Sequence, residues 1–218
     1  IAEALVLKPL RDKLGLTRVK VALSGGSTMA PDVFRLFHAI GVPLRNIYGS
    51  TEIGIMTIHK GERYDLETVG HWLEAHPETA ALEWKVSPAG ELLVRGGSFF
   101  QGYFGKPEKS AERIDGGWYR TGDAVSVTTS GELVFLERIE DLAKLSSGQS
   151  YPPQFIETRP RFSAFIKDVM VLGDATRPWV GALINIDMGV AARWAEERRI
   201  AFSTFTALSQ RPEIRTPV

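Results

Sequence analysis

Across 218 residues, 26 Lys and Arg are matched by 26 Asp and Glu, 44% of positions are hydrophobic and 24% charged, and cysteine is absent. That is ordinary material for one or two globular domains, and it excludes disulfides, thiolate metal sites and thiol catalysis. Balanced charge argues against a nucleic-acid or anionic-membrane partner held by bulk electrostatics, and no apolar run approaches the roughly 20 residues of a membrane-spanning helix. Residue 1 is an isoleucine opening an amphipathic stretch, so no signal peptide is read.

In chain order, Leu5, Val6 and Leu10 share a face of a predicted helix over Ala2 to Leu14, which Gly15 is placed to end. Val19, Val21 and Leu23 alternate with Lys20 and Ala22 as a strand running into Ser24-Gly25-Gly26-Ser27. Pro31 opens a second helix with Val33, Phe34, Phe37 and Ile40 at helical spacing. Val42, Leu44 and Ile47 then read as a short buried strand. Strand, glycine turn, helix and strand make a β-α-β unit, whose ligands bind beyond the carboxyl ends of the parallel strands. The Gly25-Gly26 turn therefore falls at the same sheet edge as Tyr48-Gly49-Ser50-Thr51-Glu52. It is not a Walker loop, since no Lys-Ser/Thr closes it, and a tight turn alone would also account for the glycine pair.

From Gly54 to Gly105 short alternating segments predict antiparallel strands of a small sheet or barrel, with Trp72, Trp84, Phe99, Phe100, Tyr103 and Phe104 as its core and rim. His59, His71 and His76 read as loop or surface residues, because no second ligand stands near them at metal spacing. Val125, Val127, Leu133, Phe135 and Leu136 alternate around Ser130-Gly131 as a hairpin ending at Arg138. Charges at Ile139-Glu140-Asp141 break the apolar pattern, and a flexible Ser146-Ser147-Gly148-Gln149-Ser150 loop precedes a short helix at Phe155-Ile156-Glu157. Two strands, Val169–Leu172 and Val180–Ile186, and a helix from Gly189 to Arg199 complete an α+β region.

Three stretches carry candidate chemistry. Tyr48-Gly49-Ser50-Thr51-Glu52 offers a ring to stack on a base, a glycine for close approach, hydroxyls for phosphate oxygens and a carboxylate for Mg²⁺, although a strand-end turn with a half-buried tyrosine and a solvated glutamate reads equally well. Asp123, at the end of Tyr119-Arg120-Thr121-Gly122-Asp123, can accept hydrogen bonds from both hydroxyls of a ribose, and Arg138 can reach the same sugar or a phosphate. Together, in this order and wording, they resemble the adenylate-forming enzymes, the superfamily of acyl-CoA synthetases, firefly luciferase and peptide-synthetase adenylation domains. Lys8–Gly15, Phe34–Gly41, Phe165–Asp168 and Ala182–Asp187 are similar to bacterial long-chain fatty acyl-CoA synthetases.

The resemblance covers nearly the whole chain and implies an internal piece of a longer protein. Residues 1–139 would be the late part of the large AMP-binding N-terminal domain, a β-α-β sheet plus a small β-barrel of α/β class. Residues 140–218 would be an incomplete, mobile α+β C-terminal domain. The implied reaction takes fatty acid, ATP and CoA, with Mg²⁺, through acyl-AMP to acyl-CoA. Tyr48 would stack adenine, Thr51 contact the α-phosphate, Glu52 hold the metal, and Asp123 with Arg138 hold the ribose. Gly25 and Gly26 would flank adenine and the acyl carboxylate, Gly49 and Ser50 complete the nucleotide loop, Glu140 act as hinge and Gly148 face the pantetheine tunnel. Lys144 reads first as a surface lysine and second as a phosphate contact.

The family's lysine-ended phosphate loop would precede residue 1 and its catalytic lysine follow Val218, so these residues alone are expected to be inactive. The setting implied is cytoplasmic, with peripheral membrane contact or a homodimer left open for the longer protein. Departures are His71-Trp72-Leu73 and His76-Pro77-Glu78-Thr79, where the family shows prolines after Gly70, and Glu137 and Glu140 around the hinge. An enzyme of the same fold that stops at acyl-AMP or loads a carrier protein, and a non-catalytic nucleotide-binding module, are the alternatives.

Overall fold

Pro9 sets the geometry of the first helix in the computed structural model, which describes residues 2–27, 29–62, 64–73, 82–96 and 99–211. Proline has no N–H for Leu5 and its ring crowds the preceding turn. The chain widens there into a π-turn over Glu3–Leu7, with Lys8 N–H donating to the Glu3 carbonyl, before α1 (Lys8–Lys13) follows in α geometry. Gly15, at φ +72°, ends it. The expected apolar face of Leu5, Val6 and Leu10 is exposed.

The chain divides into two compact units, Ile1–Leu142 and Ala143–Val218. In the first, β1 (Ala22–Ser24) pairs in parallel with β2 (Leu44–Ser50) through the crossover helix α2 (Pro31–Ala39), as the β-α-β reading predicts. Strand β1 is shorter than expected and its faces are reversed: Val21 and Leu23 are exposed, while Ala22 and Ser24 are partly buried. Period-2 alternation marks a face without saying which side is covered. β3 (Gly54–Ile58) and β4 (His71–Trp72) extend the sheet antiparallel in the order β1-β2-β3-β4. Strand β2 buries Leu44, Asn46 and Tyr48 and leaves Ile47 partly covered.

The second sheet runs β5 (Glu83–Val86), β6 (Glu91–Arg95), β8 (Trp118–Val127) and β7 (Ile114–Asp115), with β9 (Leu133–Arg138) also on β8 and α3 (Pro107–Arg113) leading into β7. One hydrophobic cluster joins the sheets: Tyr48, Ile53 and Met56 from the first meet Leu92, Val94, Tyr119, Val125 and Leu133 from the second. Backbone bonds from Val69 N–H to Leu133 O and from Leu133 N–H to Gly70 O tie the sheets together at 2.7 and 2.9 Å. Trp72 stacks on Trp84 at 4.6 Å, and both pack on this core with Phe99 and Phe100. Phe104 departs from the expected aromatic core and is fully exposed.

His59 is likewise not a surface residue. It is 1% exposed, stacked on Tyr64 at 4.3 Å and edge-on to Phe34. Its Nδ1 accepts from Asn46 N–H and its Nε2 lies 2.9 Å from Thr68 O, so the proton belongs on Nε2. Burial pushes its pKa down, against the opposing pull of the Thr68 hydrogen bond. His71 is partly covered in β4, with Nε2 3.9 Å from Glu132 Oε1. His76 and the stretch around it lie outside the described residues.

In the second unit, β10 (Ala143–Lys144) and β11 (Ser150–Tyr151) form a small hairpin closed by Gly148 at φ +82°. α4 (Pro153–Thr158) precedes the antiparallel pair β12 (Ile166–Leu172) and β13 (Gly181–Ile186). Asp187 then caps α5 (Met188–Glu197) by accepting from Val190 N–H at 2.9 Å, which satisfies a donor that the helix start leaves unpaired. α6 (Phe205–Ser209) supplies Leu208, which packs on Ala191 and Ala195. Among the described residues no helix is long and apolar enough to cross a membrane.

Candidate functional site

The antiparallel register of β8 and β9 sets Asp123 opposite Arg138. Arg138 Nη1 stands 2.8 Å from Asp123 Oδ1, yet Oδ1 receives no directed hydrogen bond, and the guanidinium is half-exposed while the carboxylate is 8% exposed. Oδ2 accepts from the Tyr48 hydroxyl at 2.5 Å, across 75 residues of sequence. Burial, only partly offset by Tyr48 and Arg138, raises the Asp123 carboxyl above the ordinary carboxylate range, and the same burial beside a carboxylate drives the Tyr48 phenol far above its usual value. A buried carboxylate oxygen with an ion pair but no donor aimed at it is the type of acceptor that ligand hydroxyls satisfy.

Strand β8 holds this aspartate through its own motif. Thr121 Oγ1 donates to Leu92 O at 2.8 Å and accepts from Asp123 N–H at 3.1 Å, while Gly122 N–H and the Arg120 guanidinium both bond the buried carboxylate of Glu91. Register shifts on both flanks, at Glu91/Leu93 and Ala124/Val125, bend the strand where these residues sit. Glu91 was not legible as a site residue from sequence. The signal was Gly90-Glu91-Leu92, whose glutamate falls opposite Ala124.

Tyr48 itself is a core residue: 9% exposed, with its ring 6.0 Å from that of Phe135. Gly49 follows at a register shift between β2 and β3, and a Cβ there would overlap the Gly54 carbonyl and stand 2.8 Å from Ile55 Cα. Glycine is therefore required by backbone approach within the protein, whatever ligand it also admits. Gly25 is similar, its missing Cβ lying 2.6 Å from Ile47 Cγ1, whereas Gly26 is open and held at φ +85°. Both are exposed, beyond the carboxyl end of β1.

Thr51 is exposed in the turn after β2, and the Ser50 hydroxyl is buried beside Glu52 without a well-formed hydrogen bond. Glu52 is partly covered. Against the desolvation of its site, hydrogen bonds led by the Tyr103 hydroxyl, 2.6 Å from Oε1, hold its carboxyl below the ordinary value. It stands as an ionised carboxylate able to offer oxygen to a cation, and no group of three or more His, Cys, Asp or Glu stands ready as a metal cage among the described residues. A single carboxylate suits Mg²⁺, which keeps its waters and takes substrate phosphates rather than an all-protein cage.

These residues fall into two clusters within the first unit, Tyr48 with Asp123 and Arg138, and Ser50 with Glu52, Tyr103 and Tyr119. Glu140 is exposed in a 3₁₀ turn over Ile139–Asp141. Lys144 and Gly148 belong to the second unit, both exposed on the β10–β11 hairpin.

Residues 1–104 match the AMP-binding enzyme family. The adenylation domain of a carboxylic acid reductase from Segniliparus rugosus, solved in complex with AMP and a co-purified carboxylic acid, superposes over 88% of this chain with a TM-score of 0.66 at 26% identity. The chain thus carries part of an AMP-binding enzyme domain and has the fold of an adenylation domain. Among curated relatives, a Mycobacterium tuberculosis protein named as a fatty-acid–CoA ligase, fadD11, is 32% identical over 98% of the chain. Long chain acyl-CoA synthetase 1 of Arabidopsis thaliana is 28% identical over 99%. The chain spans about a third of these relatives, 36% and 34% of their lengths, and 31% of the reductase domain.

Proposed function

We propose that this chain carries nucleotide- and metal-binding residues of an ATP-dependent fatty acid–CoA ligase, and that the full-length protein joins a long-chain fatty acid to CoA through an acyl-AMP. The observation that carries the reading is Asp123, a buried carboxylate whose Oδ1 is ion-paired at 2.8 Å with an arginine exposed enough to meet a ligand. In the reaction, Asp123 accepts the ribose hydroxyls, Arg138 adds charge beside them, and Tyr48 offers its ring edge or face to adenine. Thr51, exposed at the turn, donates to the α-phosphate, with Gly25, Gly26, Gly49 and Ser50 forming the loop around it. Glu52 holds Mg²⁺, which when bound neutralises charge developing on the phosphate oxygens.

Residues 1–139 would then end the adenylating domain and residues 140–218 begin the mobile one, with Glu140 absorbing the rotation that exchanges adenylation for thioester formation. Gly148 would face the CoA thiol and Lys144 a phosphate. The fatty acid as substrate and CoA as acceptor rest on the names of the curated relatives. A homodimer or peripheral membrane contact would belong to the full-length protein. Product analysis of that protein with palmitate and ATP, plus CoA, carrier protein or neither, tests the reading. Acyl-CoA formed only with CoA supports it, whereas acyl-AMP release alone, or acylation of the carrier alone, replaces it with another enzyme of the same fold.

A further inference from the structure

The stretch from Phe100 to Tyr103 grips Glu52 at two points. Phe100 N–H donates to the Glu52 carbonyl at 2.8 Å, and the Tyr103 hydroxyl donates to its Oε1 at 2.6 Å. Tyr103 is fixed in turn. Its N–H donates to Ser110 Oγ at 2.8 Å, its ring meets Phe100 edge-on at 4.9 Å, and Gly102 before it sits at φ +140°, where a side chain would be strained and would press on Ser110. Since the single Tyr103 proton goes to Glu52, the Tyr119 hydroxyl, 3.4 Å away and buried in the core, is the donor of the tyrosine pair. Tyr119 therefore stands behind Tyr103, and both tyrosine hydroxyls, with Tyr103 foremost, help hold the Glu52 carboxylate charged.

We infer that Tyr103 is the positioning residue for the metal-holding carboxylate: by donating to Glu52 Oε1, with Tyr119 behind it, it fixes the orientation and holds the charge with which Glu52 would meet Mg²⁺. This rests on the assignment of Glu52 to the metal. A ligating carboxylate is oriented and its charge held by hydrogen bonds of this kind, and loss of such a partner typically weakens metal binding by about 10- to 100-fold.

The test uses Mn²⁺ as the probe, titrated by electron paramagnetic resonance into the full-length protein saturated with α,β-methylene-ATP. Tyr103→Phe should raise the Mn²⁺ Kd by about 10-fold or more, with a smaller rise for Tyr119→Phe, while AMP affinity measured in EDTA is unchanged. Wild-type Mn²⁺ binding by Tyr103→Phe, alongside weakened binding by Glu52→Gln, overturns the inference and leaves the metal assignment standing. Wild-type binding by Glu52→Gln removes the assignment and the inference with it. If Tyr103→Phe is too unstable to titrate, Ser110→Ala releases the Tyr103 backbone without touching the core. An unchanged Kd in that variant overturns the inference as well.

Discussion

The Tyr48 hydroxyl donates to Asp123 Oδ2 at 2.5 Å and so joins the end of the parallel β1–β2 pair to the middle of the antiparallel sheet. The bond sits inside the cluster that packs the sheets together, which makes Tyr48 a structural residue as well as a candidate base platform. Tyr48→Phe should therefore lower stability by about 1–3 kcal/mol, because a buried acceptor loses its donor, while changing ATP affinity little. Tyr48→Ala should lose stability further, by about 3–5 kcal/mol as large aromatic truncations in cores do, and lose ATP binding as well. Thermal melts paired with ATP titrations check both. A Phe variant with full stability would show that the hydroxyl bond contributes nothing.

Gly49→Ala should damage the fold at the same place. The new methyl meets backbone of Gly54 and Ile55, which cannot rotate away as a side chain could. Overpacking of this kind costs about 1–3 kcal/mol, and here it would also shift the strand end that carries Tyr48. Gly26→Ala, which meets no neighbour but is strained at φ +85°, separates the cost of backbone conformation from that of overlap in the same melting experiment. Equal stability of Gly49→Ala and wild type would contradict the close approach.

Helical spacing and turn glycines were enough to place α2, β2 and the β8–β9 hairpin, because each has a period or a breaker that acts within a few residues. Asp123 and Arg138 were likewise legible as candidates from local wording, and the antiparallel register then sets them face to face. The buried side of β1 was not legible, since alternation is symmetric until a neighbour covers one face. His59 was misread because its partners, Asn46 and Thr68, lie 13 and 9 residues away and leave no periodic trace. The tie from Tyr103 to Glu52 spans 51 residues and was hidden for the same reason, behind an aromatic composition that suits a core equally well.

His59 gives the protein an acid-sensitive joint. Its folded pKa lies below the ordinary histidine value because burial disfavours the charged ring, and protonation would also set a hydrogen on Nδ1 against the Asn46 N–H. The unfolded chain thus takes up the proton first, so stability is present in full above the unfolded pKa near 6.5 and is lost as pH falls from there toward the folded value. His59→Gln, which carries no titrating group, should be less stable than wild type at neutral pH and show a shallower decline between about pH 6.5 and 5. Melting temperatures at both ends of that window decide it, and parallel declines would assign the acid sensitivity elsewhere.

The proposed hinge can be tested without disturbing known bonds. Glu140 is exposed within the 3₁₀ turn, whose backbone bond runs from Leu142 N–H to Ile139 O. Proline fixes φ near −65°, close to 3₁₀ values, so Glu140→Pro should be compatible with this turn while resisting rotation out of it. In the full-length protein, palmitate-dependent pyrophosphate release should stay near wild type while acyl-CoA formation falls by at least about 100-fold, more than 2.7 kcal/mol of barrier. Glu140→Ala should change neither. Equal slowing of both steps by proline would move the hinge to another residue.

The central claim is that Asp123 receives a ribose, and AMP binding tests it most directly, since AMP carries the ribose and needs neither fatty acid nor turnover. Calorimetric titration of AMP into full-length wild type and Asp123→Ala should show affinity lower by roughly 10-fold or more in the variant, the loss of charge-assisted hydrogen bonds worth about 1.5–3 kcal/mol. An Asp123→Ala protein that melts cooperatively and binds AMP as wild type does would contradict the claim and remove Asp123 from the site.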